Sequence, residues 1–280
     1  MIATRSSKFT RPLQYLALIG FMIFLAFPLI FLVVTAFKTQ REVAAPNPSL
    51  LPEGLHWANF GDAIAKMRLW TSARNSLMVA LATVVLVILL AMPAAYALAR
   101  FRTRLRGVAT GWILLSQVFP FILIVIPLFI VLRNLHLIDT LWGLVLVYTV
   151  WSLPFALWML QGYIAGIPND LEEAAAMDGA SRLRILRSIL LPLLAPGLVA
   201  TSLFTFISAW NEFFFALVLI QDPAKKTLPL TLANFVGQEG QVQLPQLAAG
   251  SLLATIPSLL FFAIIQRRLT SGLLSGAVKG

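Results

Sequence analysis

Six long stretches of this chain carry no Asp, Glu, Lys or Arg: 12–37, 75–99, 107–132, 140–169, 188–211 and 240–266. A helix needs about 20 mostly apolar residues to cross the hydrocarbon core of a bilayer, and every one of these windows is longer. In the fourth, the apolar part ends near Leu160. The fifth is cut by Glu212 and resumes from Phe213 to Ile220, so one helix is expected to run on through the acid. The pattern predicts six spans at about 13–37, 75–99, 108–132, 140–161, 193–220 and 248–266, with tails at 1–11 and 267–280. A closed barrel is the other way to satisfy every backbone group in lipid. It would require alternating segments, and Val84-Val85-Leu86-Val87-Ile88-Leu89-Leu90 does not alternate. The expected fold class is therefore an all-α integral membrane protein.

Composition strengthens this reading. The chain is 59% hydrophobic and 11% charged, against about 25% charged in soluble domains. That excludes a soluble enzyme, a disordered segment and a nucleic-acid module, despite a net charge of +10. The basic residues instead report topology, because short Lys/Arg-rich loops stay on the cytoplasmic side. With the N-terminus inside, inner segments hold 13 of the 21 basic residues, among them Arg100, Arg102, Arg104 and Arg106 on one short loop. Both termini are expected in the cytoplasm and the protein in a prokaryotic inner membrane. Arg5, Lys8 and Arg11 precede the first window like a signal sequence, but its apolar run exceeds the ~7–15 residues of a signal h-region, so it is read as an anchor. There is no cysteine, and the two histidines, His56 and His136, have no acidic cluster beside them. No metal site is expected.

The polar insert at 168–192, between the fourth and fifth spans, has the chemistry of an ordered element. Asp170 is placed to cap a helix, with Glu173 three residues on at capping-box spacing. Ala174 to Met177 favour helix, and Gly179 supplies the left-handed residue that ends one. Ser181 then caps a second stretch leading through Pro192 into span five. So short a helix needs something to pack against. Leu171, Ala174, Ala175 and Met177 offer a small apolar face, either to a cytoplasmic partner or to the protein's own helix ends.

Glu173-Ala174-Ala175, three residues, Gly179, nine residues, and Ile189-x-Leu191-Pro192 resembles the EAA loop of ABC-importer permeases, E-A-A-x3-G-x9-I-x-L-P, at every fixed position. Trp210-Asn211-Glu212-Phe213 and the end Ser275 to Gly280 resemble the carbohydrate branch, and within it the shorter membrane subunit of the maltose transporter. The resemblance implies six spans with a cytoplasmic coupling helix. Glu173, Ala174, Ala175 and Gly179 would be the docking knob and elbow, and Ile189, Leu191 and Pro192 the anchor of the exit helix. It implies as partners a second, homologous permease in a heterodimer, two ATPase subunits and an extracytoplasmic solute-binding protein. ATP and Mg would sit on the ATPase. This chain lacks the phosphate loop G-x-x-x-x-G-K-[ST] and is expected to be neither an enzyme nor a cofactor binder. In some relatives the C-terminal tail also enters the ATPase interface, which here would be Leu273 to Gly280.

Asn211 and Glu212 remain as candidates for the substrate path. A carboxylate facing lipid costs at least about 2.5 kcal/mol, so Glu212 should face the bundle, a wet cavity or a tie to the partner permease. Other classes fit less well. A permease for glycerol phosphate or a polyamine would share these motifs. A secondary transporter predicts internal repeats and several intramembrane ionisable residues, and an embedded enzyme predicts clustered His, Asp, Ser or Cys.

Overall fold

The computed structural model describes residues 10–66, 68–101, 104–120, 122–234 and 243–277, and every regular element among them is helical. Arg5, Lys8, Arg102 and Lys279 lie outside the described residues. Five helices are long and apolar enough to cross a membrane, and a bent pair brings the number to as many as six. The chain divides into two compact units, one formed by residues up to 69 with 232–255, the other by 70–231 with residues from 256 onward.

In the first unit, α1 (Thr10–Ala36) exposes most of its apolar surface, as a lipid-facing helix does. Its last turn packs Leu32 and Ala36 against Ala248, Ala249 and Leu252 of α13 (Leu244–Ala277) and against Phe60 of α3 (Ala58–Lys66). Small residues let these backbones approach closely. Between α1 and α3 the chain is folded rather than slack. Thr39 and Glu42 form a capping box on α2 (Gln40–Val43). Glu42 also accepts from the Glu53 amide at 2.7 Å. That bond and those from the Thr39 amide and hydroxyl hold its carboxyl down at about 2. The Asn59 amide donates to the carbonyls of Ala36 and Lys38.

The second unit contains α4 (Leu69–Arg100), α5 (Arg104–Val118), α6 (Ile122–Asn134), α7 (Leu141–Ala165), α8 (Asp170–Met177), α9 (Arg182–Ile185), α10 (Leu191–Trp210), α11 (Phe214–Leu219) and α12 (Leu228–Ala233), the first and the last straddling the unit boundary. At its centre, α7 packs against α10, α5 and α11. Burial on some sides and lipid on the others, where Trp142, Val150 and Trp158 stay exposed, account for an α7 that is apolar all round rather than along one stripe. Val87, Ala91 and Ala95 of α4 meet Ala156, Leu160 and Ile164 of α7 and Leu190 and Leu194 beside them in one core. Gly197 of α10 makes the approach to α7 possible, since a Cβ there would lie 2.6 Å from the Tyr163 ring. Gly197→Ala is expected to cost about 1–3 kcal/mol through overpacking, seen as a lower thermal midpoint of the detergent-solubilised protein.

Two expected spans differ from what the pattern predicts. The third is α5 and α6, which meet at 104°. Pro120 sits at the corner and has no N–H to donate, and the residue before a proline is steered out of helical geometry. The Phe119 amide closes the last bond of α5 on Leu115 and the Leu123 amide reaches the Pro120 carbonyl. The last helix also differs from its expected end at 266, because α13 continues unbroken to Ala277.

At the end of α7 remote from α8, the loop after α6 is clasped to the segment after α11. Asp139 accepts from the amides of Gln221 (2.9 Å) and Asp222 (3.0 Å) and from the Lys225 ammonium (2.9 Å). Burial raises the Asp139 pKa, but these bonds outweigh it and hold the carboxyl below its usual range. The Asn75 amide donates to the carbonyls of Ala224 and Lys226, and Ser76 accepts from the Leu228 amide.

Candidate functional site: the α8 peg and the break at Glu212

The residues of α8 form a helix because Asp170, Glu172 and Glu173 place negative charge in its first turn, where the dipole favours it. The cap is Asn169, not Asp170 as the spacing suggested: Asp170 is already helical, and the first bonds run from the Glu172 and Glu173 amides to the Asn169 carbonyl. No side-chain cap or capping box forms there. The other end closes as a Schellman motif, with the Gly179 amide on the Ala176 carbonyl (3.0 Å) and the Ala180 amide on the Ala175 carbonyl (3.0 Å). Gly179 has φ +81°, a region disfavoured for any residue with a Cβ.

The helix presents two different faces. Ala175 and Ala180 turn inward and pack beside the α4–α7–α10 core. Leu171, Glu173, Ala174, Ala176 and Met177 are exposed, Met177 at 88%. Of the EAA residues, Glu173 and Ala174 therefore face outward while Ala175 anchors.

What fixes the helix is a residue the motif does not contain. Glu172 accepts from the Arg100 guanidinium at 2.5 Å and from the Tyr96 hydroxyl at 2.8 Å, and Arg100 also donates to the Ile167 carbonyl at 2.9 Å. The Arg100 and Glu172 side chains are only 10% and 14% exposed. This bonded group ties the last turn of α4 to the first turn of α8. Its trace in the sequence was the i, i+4 pair Tyr96 and Arg100 at the end of an apolar helix, where Arg100 was read only as a topology marker.

Beyond Gly179 the chain does not form one regular helix into α10. Ser181 precedes α9 without a side-chain cap bond, and Leu186–Leu190 is a π-helical turn. Ile189 lies in that turn, Leu191 opens α10 and Pro192 occupies its first turn. Proline cannot bond back to residue 188 and its ring crowds that carbonyl, so the wider turn just before it relieves the conflict. Ile185 and Leu190 remain buried and Leu191 packs at the margin of the same core.

Glu212 corrects another expectation. The helix does not run through it: α10 ends at Trp210 and α11 begins at Phe214. The carboxylate folds onto the new helix, accepting from the amides of Phe215 (2.8 Å) and Ala216 (3.2 Å). Asn211 donates back to the Ile207 carbonyl at 2.9 Å and closes α10. The charge thus rests on backbone donors that a helix start otherwise leaves unmatched. The buried Tyr148 hydroxyl lies beside the carboxylate.

The fold is that of a multi-pass, all-helical membrane protein of the permease class. Within that class the chain belongs to the binding-protein-dependent transport system inner membrane component family, whose model matches residues 87–274 and so includes α8, its tie to Arg100 and the break at Glu212. It is 37% identical over 277 residues to the diacetylchitobiose uptake system permease protein DasC of Streptomyces coelicolor, covering 99% of this chain and 100% of that one. It is 41% identical over 234 residues to the trehalose transport system permease protein SugB of Mycobacterium tuberculosis, covering 82% and 85%. Among solved structures it resembles a chain of a bacterial ABC transporter that imports the acidic polysaccharide alginate, at TM-score 0.81 and 25% identity over 95% of this chain and 99% of that one.

Proposed function

We propose that this chain is the membrane-spanning subunit of an ATP-driven importer for a sugar, and that α8 is the contact through which a separate ATPase subunit moves it. The carrying observation is the state of α8, a helix with an exposed face that is nonetheless held firmly. Bonding to Arg100 and Tyr96 on one side and the Gly179 elbow on the other make it a lever rather than a tether. A push on Met177, Ala174 or Glu173 is passed to α4 through Glu172 and to α10 through the turn at Leu186–Leu190.

Both termini and α8 lie on the cytoplasmic side in this reading, which follows the distribution of basic residues. The chain works with a second permease, two ATPase subunits that bind ATP and Mg, and an extracytoplasmic solute-binding protein. Relatives named for diacetylchitobiose and trehalose support sugar as the cargo class.

The test is to co-express the chain with its genomic neighbours, reconstitute the complex in proteoliposomes, and measure ATPase activity and uptake across trehalose, maltose, diacetylchitobiose, glycerol 3-phosphate and spermidine. Stimulation by at least one sugar, with ATP-dependent uptake, is expected. Stimulation by glycerol 3-phosphate or spermidine alone would remove the sugar assignment, and ATP-independent uptake would remove the importer reading.

A further inference from the structure

The second unit contains a cavity of about 420 Å³ between α5, α6, α7, α10 and α11, within the range of small-molecule sites. Nothing in the α8 mechanism uses it. Its walls are rich in flat rings: Trp112 on α5, Trp151 on α7, Phe204 on α10 and Phe215 on α11. Trp151 and Phe215 meet edge to face at 6.0 Å, and Phe155, also in the lining, stacks on Phe204 at 3.9 Å, so these rings hold one another in place. Phe215 is also the residue whose amide Glu212 holds, which fixes α11 as one wall.

Hydrogen-bonding groups enter the same space from three helices: Gln117 from α5, Ser152 from α7 and Ser208 from α10. Ser116, also in the lining, spends its hydroxyl on the Ile113 carbonyl at 2.7 Å. Among the described residues, no Asp, Glu, Lys, Arg or His lines the cavity. Rings that can stack on C–H faces, neutral donors and acceptors for hydroxyls, and no fixed charge among the described lining residues suit an uncharged saccharide within the sugar class proposed above.

We propose that this cavity binds an uncharged sugar ring of the transported solute on this chain's own side of the path, with Trp151 as the stacking platform and Ser208 and Gln117 as hydroxyl partners. The proposal rests on the sugar-importer reading and adds both a site and a charge preference to it.

The experiment uses the reconstituted transporter and measures uptake of trehalose, maltose and diacetylchitobiose against an alginate trisaccharide. Trp151→Ala is expected to raise KM about tenfold for whichever uncharged sugar is carried, the loss usual for an aromatic anchor, while Trp151→Phe stays within about twofold. Ser208→Leu, which fills the cavity, should raise KM similarly. Leu259→Ala, on the exposed surface of α13, is the control and leaves KM unchanged. Co-purification with the partner subunits is measured for each variant, so that a chain that fails to assemble is seen as such; Ser208→Ala then serves as the milder substitute. Uncharged sugars carried with unaltered KM in assembled Trp151→Ala and Ser208→Leu would overturn the cavity assignment and leave the importer reading standing. Uptake of the acidic trisaccharide at equal or better KM would overturn the charge preference. Failure of all four to be carried would remove the sugar reading and this site with it.

Discussion

Reversing the charge at Glu173 and removing the glycine elbow together, as Glu173→Lys with Gly179→Asp, is expected to abolish ATP-coupled uptake while the helices still insert. Glu173 is exposed on α8, so its replacement disturbs no core packing, but lysine in the first turn opposes the helix dipole and reverses the sign presented to a partner. Gly179 has open space around a hypothetical Cβ, so the penalty there is of backbone origin. Holding aspartate at φ +81° costs about 1–3 kcal/mol, enough to let the chain leave the elbow geometry. Membrane-fraction blotting and uptake into proteoliposomes check the two halves of the prediction. Substrate-stimulated uptake at the wild-type rate would show that α8 transmits nothing.

Arg100→Ala should have the second large effect. It takes the guanidinium from Glu172, whose side chain is 14% exposed in the intact pair, and leaves the bond from the Tyr96 hydroxyl; breaking a buried ion pair by removing one member costs about 3–5 kcal/mol. The strain is relieved most simply by α8 swinging away, so uptake should fall while α8 amides lose protection from hydrogen exchange. Arg100→Lys keeps the charge but not the forked reach to both Glu172 and the Ile167 carbonyl, and should fall between. The exchanged pair Arg100→Glu with Glu172→Arg is expected to recover part of both signals, which a loss due to general misfolding would not.

These results bear on what could be read from the residues alone. Lipid selects for length and freedom from charge, so windows counted for Asp, Glu, Lys and Arg locate the apolar segments. Gly179 was legible because a helix stop demands a left-handed residue, and φ +81° is what it adopts. The breaks were not legible in the same way. Proline is a poor guide in this chain, because Pro28, Pro93, Pro127, Pro154, Pro196 and Pro257 all sit inside helices. At Pro120, by contrast, the described helices on either side meet at 104°, and the residue type alone does not tell this proline from the six that helices absorb.

Glu212 was noticed as a charge that must find company, yet the company is not a side chain but the backbone one turn further on: the amides of Phe215 and Ala216. Counting charges treats the helix as continuous, whereas satisfying the carboxylate requires ending it. Glu172 was hidden beside the motif residue Glu173. One residue of rotation on α8 separates a carboxylate bonded to Arg100 from one facing outward, and only the packing of α4 against this loop tells them apart.

The central claim is that the exposed face of α8 is seated on an ATPase subunit. Because the chain contains no cysteine, Met177→Cys, at a position 88% exposed, gives a single reactive thiol, and Leu135→Cys, 60% exposed at the opposite end of the bundle, gives its counterpart. Short-range thiol cross-linking in the assembled transporter should join position 177, and not position 135, to the nucleotide-binding subunit. A complex in which the ATPase co-purifies but position 177 reacts only with water-soluble reagent, or in which position 135 captures the ATPase instead, would contradict the account.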